Sequence, residues 1–216
     1  MLFRSLSVIA EVKRRSPSKG ELSEIPEPAR LAAKYQEAGA AAVSVLTERR
    51  RFNGSLEDFD AVRSEITLPM LRKDFMIDEY QFYEARAHGA DLILLIVAAL
   101  SKNQLTDYFE LTKELGMKAL IEVHSHDELE RAMDINPEII GVNSRNLKTL
   151  EVDSNNFKDL LPRIPNQIIK VAESGIASRS DVEFAESAGA NVILVGEALV
   201  KAGDPISSMR DLLGKK

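Results

Sequence analysis

Cysteine and tryptophan are both missing from the 216 residues, and aromatic residues are only 6% of them. Without cysteine there can be no disulfide, no thiolate nucleophile and no zinc–thiolate site. Long apolar runs are missing too. The longest, Leu92 to Leu100, is too short to span a bilayer, so no membrane partner is expected. The opening stretch MLFRSLSVIAEVK has no small-residue cleavage pattern after a long apolar segment and does not read as a signal peptide. Positive charge is not in excess. The net charge of −6 argues against a nucleic-acid or anionic-membrane surface. A reducing cytoplasm is compatible with all of this.

What is present suits one folded domain spanning 1–216. Apolar residues make up 44% of the chain, enough for a sizeable core, and charged residues 29%. Three segments share one grammar of amphipathic stretch, Gly-Ala and apolar run: YQEAGAAAVSVLTE, ARAHGADLILLIVA and AESAGANVILVGEA. Their glycines, Gly39, Gly89 and Gly189, are spaced by 50 and then 100, with a weaker copy at Gly116. Each stands where a helix end needs a left-handed residue before the chain enters a strand.

The apolar runs are β-branched and nearly continuous, the mark of parallel strands covered on both faces. Eight are predicted: Val8–Val12, Ala42–Leu46, Pro69–Lys73, Leu92–Ile96, Lys118–Val123, Ile139–Asn143, Ile168–Ala172 and Val192–Val195. Helical patterns lie between them at Pro28–Ala38, Asp78–His88, Lys102–Leu115, Ser125–Met133, Ser178–Ala188 and Asp204–Leu213. Eight strands with no glycine-rich nucleotide turn after the first favour a closed (β/α)8 TIM barrel over a doubly wound open sheet.

In such a barrel the chemistry lies at the C-terminal ends of the strands. Glu11 and Lys13 end the first strand two residues apart and so point the same way. They read either as a working pair or as a buried structural ion pair. Lys73 ends the third strand, where burial could lower its pKa toward neutrality; an exposed loop lysine is the alternative. Glu122 interrupts the fifth strand, where burial would raise its pKa and suit it to acid–base work. A simple partner for Lys13 or Lys73 is the other reading.

Asn143 and Arg145 repeat the two-apart geometry after the sixth strand. They can orient a carboxylate or hydroxyls, or simply cap a loop and sit at the surface. Glycines follow strands seven and eight, where backbone N–H groups can cradle a phosphate. Alone, such glycines usually mean only turn chemistry. His124 and His126 form an H-x-H with no third ligand in view, so no metal is expected. Arg49 to Arg51 reads as a basic loop, and Phe52 and Phe75 are placed to cover a ligand or to pack.

The strand ends, taken together and in order, closely resemble indole-3-glycerol-phosphate synthase: IAEVKRRSPSKG, SVLTE followed by RRFNGS, LRKDF, LLIVA, ALIEVH, GVNSRNLKTLEVD, VAESGI and VILVGEAL. The resemblance covers the chain from Val8 onward. It implies ring closure, decarboxylation and dehydration of 1-(2-carboxyphenylamino)-1-deoxyribulose 5-phosphate, in tryptophan biosynthesis, with no cofactor and no metal. It implies that Lys73 is the general acid for ring closure, that Glu122 or Lys13 serves the later dehydration, and that Glu11 orients Lys73 or acts as a base. Asn143 and Arg145 would hold substrate hydroxyls and the aryl carboxylate, with Ser16, Phe52, Phe75 and Glu173 also binding substrate.

Ser174, Gly175, Gly196 and Glu197 match the phosphate turns, with the Glu197 carboxylate expected to point away, and Lys13 and Ser16 approach the phosphate edge. The expected partner is this phosphorylated small molecule, bound by a monomer, with contacts to other pathway enzymes open. Family members carry a longer N-terminal segment that covers the mouth; here that lid is expected to be absent or reduced to residues 1–7. Two other readings compete. Phosphoribosylanthranilate isomerase would need a cysteine at the end of the first strand, where Glu11 and Lys13 stand instead. A weak or silent barrel, truncated or kept as a scaffold, fits the short N-terminus but not the intact set of polar residues.

Overall fold

The computed structural model describes residues 6–201 and 203–214. Eight parallel strands close on themselves: β1 Ser7–Val12, β2 Ala42–Leu46, β3 Met70–Lys73, β4 Leu92–Ile96, β5 Lys118–Val123, β6 Ile139–Asn143, β7 Ile169–Glu173 and β8 Val192–Val195. Closure is made by the first and last strands, with Ser7 opposite Val192 and Ala10 opposite Val195. On its other edge β1 pairs β2, Ile9 opposite Ala42. The (β/α)8 barrel read from the apolar runs is therefore the fold, and all eight strands fall within a residue of their predicted bounds. Of the segment expected to hold a reduced lid, residues 1–5 lie outside the described residues and Ser7 already begins β1.

Alternation of side chains along each strand divides the core in two. Val8, Val43, Ile93 and Ile121 join an outer layer packed against the helices. Ile9, Leu71, Leu94, Leu120, Val171 and Leu194 fill the barrel interior. Each fully buried aliphatic side chain contributes about 1.5–3 kcal/mol against exposure. The interior parity also decides the chemistry: Glu11, Lys73, Glu122 and Glu173 share parity with Ile9, Leu71, Leu120 and Val171 on their strands, so they continue that apolar stack upward into the mouth.

The outer ring comprises α1 Pro28–Glu37, α2 Leu56–Glu65, α3 Tyr80–Ala87, α4 Lys102–Glu114, α5 His126–Met133, α6 Asn155–Leu160, α7 Arg179–Ser187 and α8 Pro205–Leu213. The four repeat glycines follow α1, α3, α4 and α7 with φ between +72° and +104°, the left-handed stop the sequence implied. Two helices start with capping boxes, Ser101 with Gln104 and Ser178 with Asp181.

Several features depart from the sequence reading. α2 and α6 had not been expected; Ser55 caps α2 by accepting from the Asp58 amide. Arg49–Phe52 is a short helix rather than a loop, because the Glu48 carboxylate collects the amides of Arg50, Arg51 and Phe52. The loop after β1 folds into a small antiparallel pair, with Arg15 opposite Glu21 and Ser16 opposite Gly20.

Candidate active site

At the C-terminal ends of the strands lies a cavity of about 1200 Å³, and every site residue read from the sequence lines it. Its floor is apolar, formed by Leu94, Ile96 and Leu194. Above that floor stands a buried ionic cluster. Lys73 Nζ lies 2.6 Å from Glu173 Oε2 and 3.6 Å from Glu122 Oε2. Beside it, Lys13 Nζ lies 2.8 Å from Glu11 Oε1, and Ser44 donates to Glu11 Oε2 at 3.3 Å. The Glu11–Lys13 pairing is the one their spacing implied. Glu11 is bonded to Lys13 rather than to Lys73, and reaches Lys73 only through its charge.

The protonation pattern corrects two expectations. Lys73 was expected to lose affinity for its proton on burial. Burial does act that way, but the carboxylates of Glu173, Glu122 and Glu11 outweigh it and hold the ammonium above the usual lysine range. Glu122 was expected to be raised by burial. Its burial is opposed by Lys73, by His124 and by the amide of Asn143, and the carboxyl is held down to about 2. Glu173 is the carboxyl that rises. Burial is the main cause, Lys73 opposes it, and the neighbouring negative charges of Glu122 and Glu11 carry it up to about 7. Its Oε1 is buried without a hydrogen-bond partner, which penalises the anion and favours the neutral acid. The two glutamates share one ammonium, so their protons belong to the pair; the asymmetry between them is set by their other neighbours.

Glu173 fits because residue 141 has no side chain. A Cβ there would lie 2.0 Å from Glu173 Oε1. This notch in β6 is what allows the carboxyl to reach across to Lys73.

The sequence reading missed one participant. In the sequence His124 has no third metal ligand in view, and among the described residues no group of three His, Cys, Asp or Glu is placed to hold a metal. Its ring instead bridges two carboxylates. Nδ1 lies 3.0 Å from Glu128 Oε2, and Nε2 lies 3.2 Å from Glu122 Oε1. The second contact has ion-pair distance but not hydrogen-bond alignment, for Nε2 is buried with no hydrogen-bond partner. Burial disfavours the imidazolium, yet the two carboxylates prevail and raise its pKa to about 9. The available signal was parity: residues 122 and 124 point the same way along one extended segment.

Toward the rim, the Asn143 Oδ1 accepts from the Arg145 amide at 2.9 Å, and Arg145 Nη1 donates to Ser18 Oγ and to the Leu150 carbonyl at 3.0 and 2.8 Å. Phe52 and Phe75 approach with ring centroids 6.4 Å apart, and the Arg51 guanidinium lies 5.7 Å over the Phe75 ring. Across the mouth, Ser174 and Gly175 are consecutive left-handed residues, φ +67° and +73°. A Cβ at Gly175 would come within 2.7 Å of Val152 Cγ1, so both conformation and space call for glycine. The Glu197 carboxylate binds Lys19 Nζ and Lys201 Nζ at 2.8 and 2.9 Å. It ties the loop after β1 to the turn after β8, a role the sequence did not suggest.

Among the described residues no helix is long and apolar enough to cross a membrane. A family model described as indole-3-glycerol phosphate synthase matches residues 3–212. The chain is 54% identical over 213 residues to the indole-3-glycerol phosphate synthase of Rhodococcus opacus (strain B4), covering 99% of this chain and 79% of that one. It is 58% identical over 200 residues to that of Paenarthrobacter aurescens (strain TC1), covering 93% and 74%. A solved thiamine phosphate pyrophosphorylase from Pyrococcus furiosus superposes with a TM-score of 0.71 at 18% identity, covering 98% of this chain and 96% of that one; at that identity the likeness concerns the fold alone. With the motifs in register along the barrel and this extent of identity, the chain belongs to the indole-3-glycerol phosphate synthase family.

Proposed function

We propose that the barrel mouth closes the indole ring by dividing the proton transfers among Lys73, Lys13, Glu122 and Glu173. Family membership makes the chain a carbon–carbon lyase of tryptophan biosynthesis. The substrate is 1-(2-carboxyphenylamino)-1-deoxyribulose 5-phosphate. The products are indole-3-glycerol phosphate, carbon dioxide and water.

Proton bookkeeping defines what the residues must do. Attack of the carboxylated ring carbon on the ketone places negative charge on its oxygen, which needs one proton. Carbon dioxide leaves with its bonding pair returned to the ring. The resulting hydroxyl needs a second proton to depart as water. A ring C–H then gives up one proton as the indole forms. Two protons enter and one leaves, so each turnover consumes one.

Lys73 is the first donor. The observation that carries this reading is its ammonium, held between Glu173 and Glu122 above an apolar floor. A charge fixed there stabilises the developing alkoxide without reorganising water. Glu173, in contact at 2.6 Å and holding a proton near neutrality, can restore the ammonium after donation. Glu122, kept ionised, takes the proton released as the ring becomes aromatic. Lys13, fixed by Glu11, serves the departing hydroxyl.

Binding follows from the two ends of the cavity. The turns at Ser174–Gly175 and Gly196–Glu197, with Ser16 at their edge, take the phosphate. Phe52 and Phe75 take the aryl ring, and Asn143 and Arg145 the hydroxyls and carboxylate. All of these come from one chain, which supports a monomer as the working unit, and the absence of cysteine suits a reducing cytoplasm. The test is direct. The chain has no tryptophan, so indole emission on adding substrate reports product alone. No emission from folded protein at saturating substrate overturns the reading.

A further inference from the structure

Two carboxyls flank one ammonium in this site, and the proposed reaction asks opposite things of them. Glu122 must be an anion and Glu173 must hold a proton. Both are buried, both stand near the C-terminal ends of parallel strands, and both reach Lys73 with an Oε2. Lys73 alone does not separate them; its shorter contact is in fact to Glu173.

What separates them lies on the far side of each group. Glu122 Oε1 faces His124 Nε2 at 3.2 Å. Glu173 Oε1 faces the bare backbone of Gly141 and has no partner. His124 does not line the cavity. It stands behind Glu122, and its other nitrogen is fixed by Glu128 at the head of α5. Asn156 donates to its backbone carbonyl at 3.2 Å. The charged groups that act on the ring are Glu122 and Glu128. Those acting on Glu122 are Lys73 and His124, and those acting on Glu173 are Lys73, Glu122 and Glu11.

We propose that His124 is a positioning residue which fixes Glu122 as the anionic proton acceptor and so leaves the shared proton on Glu173. The inference rests on the roles given above to these two glutamates. It turns on charge: a cation behind one member of a like-charged pair biases the single proton toward the other. Glu128 makes the device self-consistent, since a carboxylate on Nδ1 favours the imidazolium that the bias needs. Neither group touches substrate.

The experiment follows δ-carbon-13-labelled glutamates by NMR between pH 5 and 9, with the two resonances assigned through E122Q and E173Q. In the unaltered protein only the Glu173 signal should move through the neutral range. In H124Q, which keeps a donor but not the charge, the Glu122 signal should move as well, because the proton is then shared. kcat should fall about tenfold and KM by less than about twofold, as expected when the proton occupies the wrong partner for much of the time. H124N serves the same purpose should H124Q fail to fold. A Glu122 resonance that stays at its ionised position in both variants overturns the inference. So does a loss of kcat with unchanged titration, the mark of a merely structural role. Near-normal turnover of E122Q would overturn the role of Glu122 in the proposed reaction, and is read separately from the titration.

Discussion

Lys73 and Glu173, one hundred residues apart in the chain, meet inside the barrel with 2.6 Å between Nζ and Oε2. The contact joins β3 to β7 across the interior, and it sets an ammonium against a carboxyl that burial pushes up to about 7.

Replacing Lys73 by alanine should abolish ring closure while leaving the barrel folded. Loss of a positioned proton donor typically costs about 10²–10⁴-fold in rate. The measurement is kcat from indole emission, with circular dichroism to establish the fold. Turnover within a few-fold of the parent would remove Lys73 from the mechanism.

The state of Glu173 sets a pH dependence with a definite sign. Burial, with the nearby negative charges of Glu122 and Glu11, pushes its carboxyl up to about 7 from an ordinary value of 4.5. Between those values the native state binds the extra proton, so this group makes stability fall as pH rises from about 4.5 to 7, and contributes no further slope above. If the protonated form restores Lys73, kcat also declines as pH climbs through 7. E173Q should lose both the kinetic limb and this part of the stability slope. Parallel curves of stability against pH for the two proteins would refute the assignment.

A methyl group at residue 141 should act on catalysis through Glu173. Gly141→Ala places a Cβ where Oε1 now lies, so the carboxyl must swing off Lys73. Overpacking of this kind costs about 1–3 kcal/mol, and kcat should fall more than about tenfold with little change in KM. Thermal unfolding and steady-state kinetics check the two effects independently.

Gly175→Ala should weaken phosphate binding. The residue combines a left-handed φ of +73° with a 2.7 Å approach of any Cβ to the Val152 side chain, so the substitution strains the turn. Inorganic phosphate should compete with substrate in the parent, and its inhibition constant should rise several-fold in the variant along with KM. Unaltered inhibition by phosphate would place the anion elsewhere.

The barrel was legible because its information is local. Runs such as Leu92–Ile96 carry the parallel-strand pattern, and Gly39, Gly89 and Gly189 mark the helix ends without help from the rest of the chain. The helix at Leu56–Glu65 was overlooked although Ser55 and the acidic first turn, Glu57 and Asp58, announce it. That these residues line one cavity was also legible, since strand ends are known once the strands are. The protonation states were not. Whether Glu122 or Glu173 keeps a proton depends on Lys73, His124 and the missing side chain at residue 141, none adjacent to both in sequence. His124 was visible as a histidine, but its use as a charge behind Glu122 needs the ring's position in space.

The pairing of β1 with β8 bears on how this protein comes into being. Val12 ends the first strand and Val192 begins the last, so at about 5–20 residues per second the ribosome needs on the order of ten to forty seconds to supply the neighbour that β1 awaits. Through that interval one edge of β1 has no partner strand, an open template for pairing with another chain. Glu11 likewise lacks the backbone of Gly196 that packs against it in the finished barrel. A nascent chain halted before β8 therefore has no complete mouth for substrate to occupy, and ligand can stabilise this barrel only after β8 has been made.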